Sequence, residues 1–361
     1  MKTIPSSFDR RSLLQAAAGG LAAAAVAASG CGSRPDNGRV LKVFNWSDYS
    51  DPAVIEDFER MNNNCRVVYD NFSSDSELEA RLATGGGAYD VVFPSDRAMH
   101  SLKAKGLLQP IDHGQLAKMS NLDPAFLNQP FDPGNEFSLP YFWGTVAVGV
   151  RTDHVPGLVA GFEALFDDRY RGRITMLDDL ENVVAVVLMF LGKELNSVKP
   201  ADLLLAKQTL LAQKPLVQAY TSDAYRERLI AGQAWVSLGW SGDLLQAAEI
   251  ANEPVPKVNV VVPVTGTLKW LDSMAIPRRA SDVALAHQFI DHLLDANVAL
   301  ANAKYVKYAT PNVAAFKLLP PAMAADPRIY PPKATMSACE WLTDRGEQIA
   351  LIEAVWREVR A

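Results

Sequence analysis

Three short segments of the 361-residue chain pair an indole with a carboxylate: Trp46-Ser47-Asp48-Tyr49, Trp240-Ser241-Gly242-Asp243 and Trp270-Leu271-Asp272. Asp178-Asp179 and Tyr308 add acids and another ring. Flat aromatic walls beside acids suit a cation carried on a carbon chain. An aliphatic diamine or polyamine is a string of ammonium groups separated by methylenes, so carboxylates hold its charged ends and aromatic faces cover its carbons. Each cation–π contact contributes about 0.5–2 kcal/mol, and each charge-assisted hydrogen bond about 1.5–3 kcal/mol. Several together reach about 8 kcal/mol after ordering costs, a micromolar Kd. A sugar would use the aromatics without calling for three or four carboxylates. An anion would call for arginine or bare helix N-termini. Taken singly, each residue has a bland role open to it: a Trp beside a strand is core, and an Asp after a strand caps a helix. Recurrence at three strand ends is what points to a pocket.

The elements that must position these residues alternate along the chain. Residues 40–44 read as a strand, and Pro52 opens a helical stretch through Phe58. Residues 66–69 read as a second strand. Ser74-x-x-Glu77 resembles a capping box, and Leu78, Arg81 and Leu82 follow at helical spacing up to a stop at Gly85-Gly86-Gly87. Residues 89–93 form a third strand, ended by Pro94-Ser95. This order predicts an open α/β sheet, and in such sheets ligands sit beyond the carboxyl ends of the strands. Strands at 146–150, 174–177, 234–239 and 258–262 repeat the grammar. Residues 281–301 read as one helix with Val283, Ala286, Phe289, Ile290 and Leu293 on one face.

With 35 Lys+Arg against 41 Asp+Glu and 49% hydrophobic residues, the composition is that of a soluble globular protein. Its length exceeds one ordinary core, which favours two domains or one bilobal unit. No basic block lies outside the N-terminus, so nucleic acid and acidic membrane are poor partners. Residues 1–31 have the order of an export signal: Lys2, Arg10 and Arg11, an uncharged run rich in Ala and Leu, then Cys31. Ala and Gly dominate that run where Leu, Ile and Phe would favour a membrane span. Residues 8–14 resemble a twin-arginine signal, with Sec export the alternative. Ser29-Gly30-Cys31 resembles a lipoprotein box with Ala28 in place of the usual Leu, which leaves acylation of Cys31 open. Cys65 and Cys339 remain in the mature chain, either as a disulfide or as two buried thiols.

Gly-x-Ser-x-Gly, His-Glu-x-x-His and phosphate-loop motifs are absent from the sequence. His287 and His292 stand five apart, which spreads them off one helix face and weakens a metal site. The reading is therefore a binding protein rather than an enzyme, with no cofactor and no metal. Capture of another cation or a metal, and a sensor that passes its bound state to a partner, are the alternatives.

At residues 45–49 the chain resembles the substrate-binding proteins of spermidine/putrescine ABC transporters. The likeness extends over most of residues 40–345, through 88–95, Asn121-Leu122-Asp123-Pro124, Pro140-Tyr141-Phe142-Trp143-Gly144, 239–243 and Tyr308-Ala309-Thr310-Pro311-Asn312. This resemblance implies a periplasmic, monomeric receptor that captures a protonated polyamine and delivers it to an inner-membrane ABC permease. It also implies a bilobal periplasmic-binding-protein fold of type II, two open α/β lobes joined by a hinge. The implied lobes are 39–145 with 271–317, and 146–270 with 318–361.

Carried over by position, Trp46, Ser47, Asp48 and Tyr49 match the family's first pocket loop and Ser95 a polar contact. Asp179 matches an acid of the spermidine branch, and Trp240 and Asp243 a wall and an acid of the putrescine branch. Trp270, Asp272 and Tyr308 match residues of both. In this reading Trp240 and Trp270 flank methylenes, Asp243 and Asp272 hold ammonium groups, and Asp48 and Asp179 serve the other end. Three departures leave the preferred amine open. Asn182 stands where the family has a glutamate, Leu342 replaces a glutamine, and Arg97 lies near a pocket-facing position, where it would repel an amine. Glu181, beside Asn182, is the available substitute acid.

Overall fold

The computed structural model describes residues 38–85, 88–252 and 257–361. The export segment, Cys31 and the Gly86-Gly87 part of the helix stop lie outside these residues. The described strands are β1 (Val40–Trp46), β2 (Arg66–Phe72), β3 (Val91–Val92), β4 (Leu108–Gln109), β5 (Ser138–Arg151), β6 (Ile174–Met176), β7 (Val217–Tyr220), β8 (Val236–Trp240), β9 (Val258–Val261), β10 (Leu268–Pro277) and β11 (Glu340–Trp341). They form one sheet path, β2-β1-β3-β10-β5-β8-β6-β7, with β4 and β11 on β10 and β9 on β5. β1 pairs parallel with β2 and β3, as β6 does with β7 and β8. Parallel neighbours need crossover connections, which the helices Pro52–Met61 and Asp75–Thr84 supply for β1, β2 and β3.

Local chemistry sets where these helices begin. Asp51 accepts a hydrogen bond from Ala53 N and Pro52 occupies the first turn, where a missing N–H costs nothing. Ser74 accepts from Glu77 N at 3.2 Å, while the Glu77 carboxylate returns to Ser73 N rather than to Ser74 N. The capping box is thus displaced by one residue on its return limb. Gly85 closes that helix with φ 68°, a conformation that a side chain would strain.

Three sequence expectations need correction. The single helix expected over 281–301 is two, Val283–Leu293 and Ala296–Val306, because Asp295 caps a fresh start by accepting from Asn297 N at 2.9 Å. The strand expected at 89–93 pairs only over Val91–Val92. Trp270-Leu271-Asp272 does not follow a strand end; it lies inside β10, which pairs antiparallel with β5.

Burial explains why two strands run long. Leu139, Tyr141 and Phe142 of β5 and Met274 and Ile276 of β10 pack in one core with Leu41, Val43 and Val91. Val146, Ala147, Val148 and Val150 of β5 and Leu271 of β10 pack in a second core with Ile174, Val236 and Val258. β5 and β10 therefore pass together from one hydrophobic core to the other. Their register shifts between Asp272 and Ser273, where Phe142 and Pro140 are the successive partners and Tyr141 is skipped. A bulge of this kind bends and twists the pair where the cores meet.

The first core is tied by one buried acid. Asp90 accepts from Lys42 N at 2.9 Å on one oxygen, and from Ser281 N at 2.6 Å and Asp282 N at 3.0 Å on the other. Asp90→Ala leaves these donors without their acceptor, and we expect it to lower the unfolding free energy by about 3 kcal/mol. Urea unfolding followed by circular dichroism measures the loss.

Candidate functional site

A cavity of about 740 Å³ opens at the strand ends. Its lining includes Trp46, Ser47, Asp48, Tyr49, Ser95, Asp179, Trp240, Asp243, Trp270, Asp272 and Tyr308, all eleven residues singled out from the sequence. Eleven carboxylates and three cationic side chains line it, so its field favours a positive occupant.

The chain delivers these groups from several elements. β1 ends at Trp46, whose indole packs against Phe72 with ring centroids 4.3 Å apart. Asp48 adopts φ 53°, a left-handed conformation that aspartate tolerates better than most residues. The turn leaves Asp48 at the exposed rim and buries Tyr49. β8 ends at Trp240, and the helix Ser241–Ala251 starts at once with Asp243 in its first turn. Trp270 and Asp272 share one face of β10, as alternate strand residues do.

Two glycines permit the aromatic packing. A Cβ on Gly144 would sit 2.5 Å from the Trp270 ring, and one on Gly242 would sit 2.5 Å from the Tyr308 ring. Trp270 and Tyr308 meet edge to face, with centroids 4.9 Å apart.

The acids fall into two groups by partner. At one end, Arg97 binds Asp179 at 3.1 Å and Glu181 at 3.0 Å and lies 3.6 Å from Asp75. Arg345 takes the other Glu181 oxygen at 3.2 Å. Asp179 also caps the helix Leu180–Phe190 and accepts from the Asn182 side chain at 2.8 Å. Burial pushes the Asp179 carboxyl up, but the Arg97 charge and the Asn182 bonds outweigh it and hold the acid below its ordinary range. Asp75 is raised, since its burial exceeds what Arg97 and Ser95 return. The Ser95 hydroxyl donates to Asp75 at 2.6 Å.

Asp243 and Asp272 are held differently, with no guanidinium in hydrogen-bond reach among the described residues. Asp243 accepts from the Tyr225 and Tyr308 hydroxyls, each at 2.6 Å. Burial still raises its pKa against those two bonds. Asp272 is buried beside the Tyr49 hydroxyl, without a well-formed hydrogen bond to it. Burial first, and then the Asp75 and Asp96 charges, drive its pKa well above the usual carboxylate range. Among the described residues neither Asp243 nor Asp272 has a salt-bridge partner, although each feels an arginine at longer range.

Of the departures noted in the sequence, Arg97, Asn182 and Leu342 all line the cavity. At the rim, Arg226 binds Asp48 at 2.5 Å and Gln246 at 2.8 Å. Sequence reasoning missed Asp75, Asp96, Tyr225 and Arg226. Asp75 and Asp96 each follow a capping serine, where an acid reads as a partner of the helix dipole and nothing more. Tyr225 and Arg226 follow no strand end directly, so the rule that found the others passes over them. His287 and His292 are buried away from the cavity, bonded to Asp112 N and to Val54 O. Cys65 and Cys339 are buried free thiols.

Comparison with known proteins places relatives beside this geometry. Residues 53–331 match the family model described as bacterial extracellular solute-binding protein. The chain is 34% identical over 343 residues to the spermidine/putrescine-binding periplasmic protein of Escherichia coli K12, covering 94% of this chain and 97% of that protein. It is 32% identical over 331 residues to the putrescine/cadaverine-binding protein of Pseudomonas aeruginosa, covering 89% and 93%. The solved spermidine/putrescine ABC transporter substrate-binding protein PotD of Streptococcus pneumoniae superposes with a TM-score of 0.77 at 30% identity, covering 89% of this chain and 98% of that one. The bilobal type II architecture expected from the sequence is therefore the architecture observed.

The acids dictate a pH response. Asp96 is raised from 3.8 to about 7, by burial and the Asp75 charge against the opposing Arg97 charge. An acid whose folded pKa is raised stays protonated in the native state where the unfolded chain has already ionised. Its stabilisation is full below the unfolded pKa and is lost as pH rises through the folded one. Asp179, shifted down, acts in the opposite sense and only below about pH 4. The denaturation midpoint of the ligand-free protein should therefore fall between about pH 4 and pH 7, and Asp96→Asn should flatten that slope. Thermal melts at stepped pH test both.

Proposed function

The chain belongs to the bacterial extracellular solute-binding proteins, and on that premise we propose that it is a periplasmic receptor that captures a protonated polyamine between its two lobes. It hands the ligand to an inner-membrane ABC permease and catalyses no reaction. The observation that carries this reading is the pairing of indole walls with half-buried Asp243 and buried Asp272, two acids that form no salt bridge among the described residues. An ammonium group supplies the missing charge, and Trp240 and Trp270 cover the methylenes between two such groups.

Lobe one comprises residues 39–145 with 271–317, and lobe two 146–270 with 318–361. The two cores bridged by β5 and β10 support this division. Closure brings the end of β1 and the Asp272 stretch of β10 against the start of the helix after β8. The receptor acts as a monomer, exported by the segment 1–31, with Cys31 as the point of attachment where the mature protein is acylated.

Calorimetric titration of the protein, stripped of carried ligand by unfolding and refolding, with putrescine, cadaverine, spermidine and spermine tests the reading. Glucose and ferric citrate serve as controls. Micromolar or tighter heat with at least one amine is expected. Asp272→Asn should weaken that binding by about 1.5–3 kcal/mol while the circular dichroism spectrum persists, because a charge-assisted contact is lost. Unchanged affinity in the folded variant would remove Asp272 from the site, and silence with every amine would sink the polyamine assignment.

A further inference from the structure

We propose that Arg97 is a cation built into the cavity: its guanidinium occupies the acids that a third ammonium group would need, and so makes the receptor prefer two-charge diamines over spermidine-length triamines. This rests on the polyamine reading above.

Three acids stand against the Arg97 guanidinium, and each already has a donor, while Asp96 and Asp272 lie close enough to feel its charge without an ion pair among the described residues. Asp179 has Arg97 and Asn182, Glu181 has Arg97 and Arg345, and Asp75 has Ser95 with Arg97 at 3.6 Å. Two acids differ in kind, since among the described residues Asp243 at the opposite end accepts from two phenol hydroxyls and Asp272 beside Ser95 has no ion pair. Around Arg97 a ligand thus finds three acids that a guanidinium already contacts, while Asp243 and Asp272 are left for an ammonium group to improve. Guanidinium does not lose its proton in proteins, so Arg97 cannot relieve the conflict by titrating. An incoming ammonium must compete with a tethered cation, which returns at high effective concentration after each excursion.

The tether also couples selectivity to closure. Arg97 stands in the helix Asp96–Ala104, which packs through Met99 and Leu102 with Phe44 and Val92. Its partners Asp179 and Glu181 open the helix Leu180–Phe190, which packs with Ile174 and Val236 in the other core. The guanidinium reaches both acids only when these two packing units approach. A third ammonium lodged there opposes the same approach by like-charge repulsion with Arg97. A diamine seated at Asp243 and Asp272 leaves the bridge intact.

Titration of the wild-type protein and of Arg97→Met and Arg97→Lys with putrescine, cadaverine and spermidine decides the matter, with the ratio of affinities as the readout. The wild type should bind a diamine at least about tenfold more tightly than spermidine, the step that one charge-assisted contact is worth. Arg97→Met should shift that ratio toward spermidine by about tenfold or more, and Arg97→Lys, which keeps the cation, should leave it near the wild-type value. Wild-type binding of spermidine as tight as that of the best diamine overturns the proposal, and this measurement needs no variant to fold. An unchanged ratio in a folded Arg97→Met protein overturns it as well. Absence of heat with every amine in the wild type overturns instead the polyamine reading on which it rests.

Discussion

A carboxylate withdrawn from water is costly unless something answers its charge, and this cavity withdraws several. The site is organised by how each one is answered. Asp179 is answered by a guanidinium and an amide, and remains an anion of ordinary or greater acidity. Asp243 is answered by two phenols, which solvate it without neutralising it. Asp272 has a tyrosine hydroxyl beside it and neighbouring acids that make matters worse. The protein therefore holds in reserve an unfavourable electrostatic state that a cationic ligand relieves.

Holding such groups in place requires a scaffold that does not yield. The ends of β1 and β8 supply two tryptophans, and the interior of β10 supplies a third. Trp270 and Tyr308 brace one another only because Gly144 and Gly242 leave room for their rings. The Tyr308 hydroxyl then fixes Asp243. A backbone feature with no chemistry of its own thus sets the orientation of a charged group two contacts away. The bulge at Asp272 and Ser273 lies where β5 and β10 leave one core for the other. Asp272, one of the most buried acids of the site, consequently sits where the two cores meet.

Much of this was legible in the sequence. Recurrent Trp and Asp near strand ends located the cavity, since strand ends are where open α/β sheets place ligands. The rule succeeded for Trp46 and Trp240. It found Trp270 by composition alone, because that residue lies within a strand whose paired extent depends on β5, far away in sequence. The broken helix at Asp295 was masked by an apolar periodicity that continues across the break, as both helices bury the same kind of face. Arg97 stood out as a departure, but only the folded chain reveals that its charge is engaged by Asp179 and Glu181 rather than left facing a ligand. Pairing across the cleft is a tertiary fact, and no local pattern encodes it.

The two arginine bridges differ in their surroundings. Arg226 meets Asp48 at the rim, where the Asp48 side chain is 54% exposed. Arg97 meets its acids deeper, with each side chain less than a quarter exposed. Dissolved ions screen the first pair far more than the second, because the Debye length near physiological ionic strength is about 8 Å in water but loses its meaning inside protein. Ionic strength is therefore a control on the mouth of the receptor more than on its depth. In dilute surroundings the rim attraction adds to the inner one, and in saline surroundings the inner bridge acts almost by itself. The salt content of the medium, and not its total solute, would then tune how readily the cleft stays shut, independently of how well its interior fits a ligand.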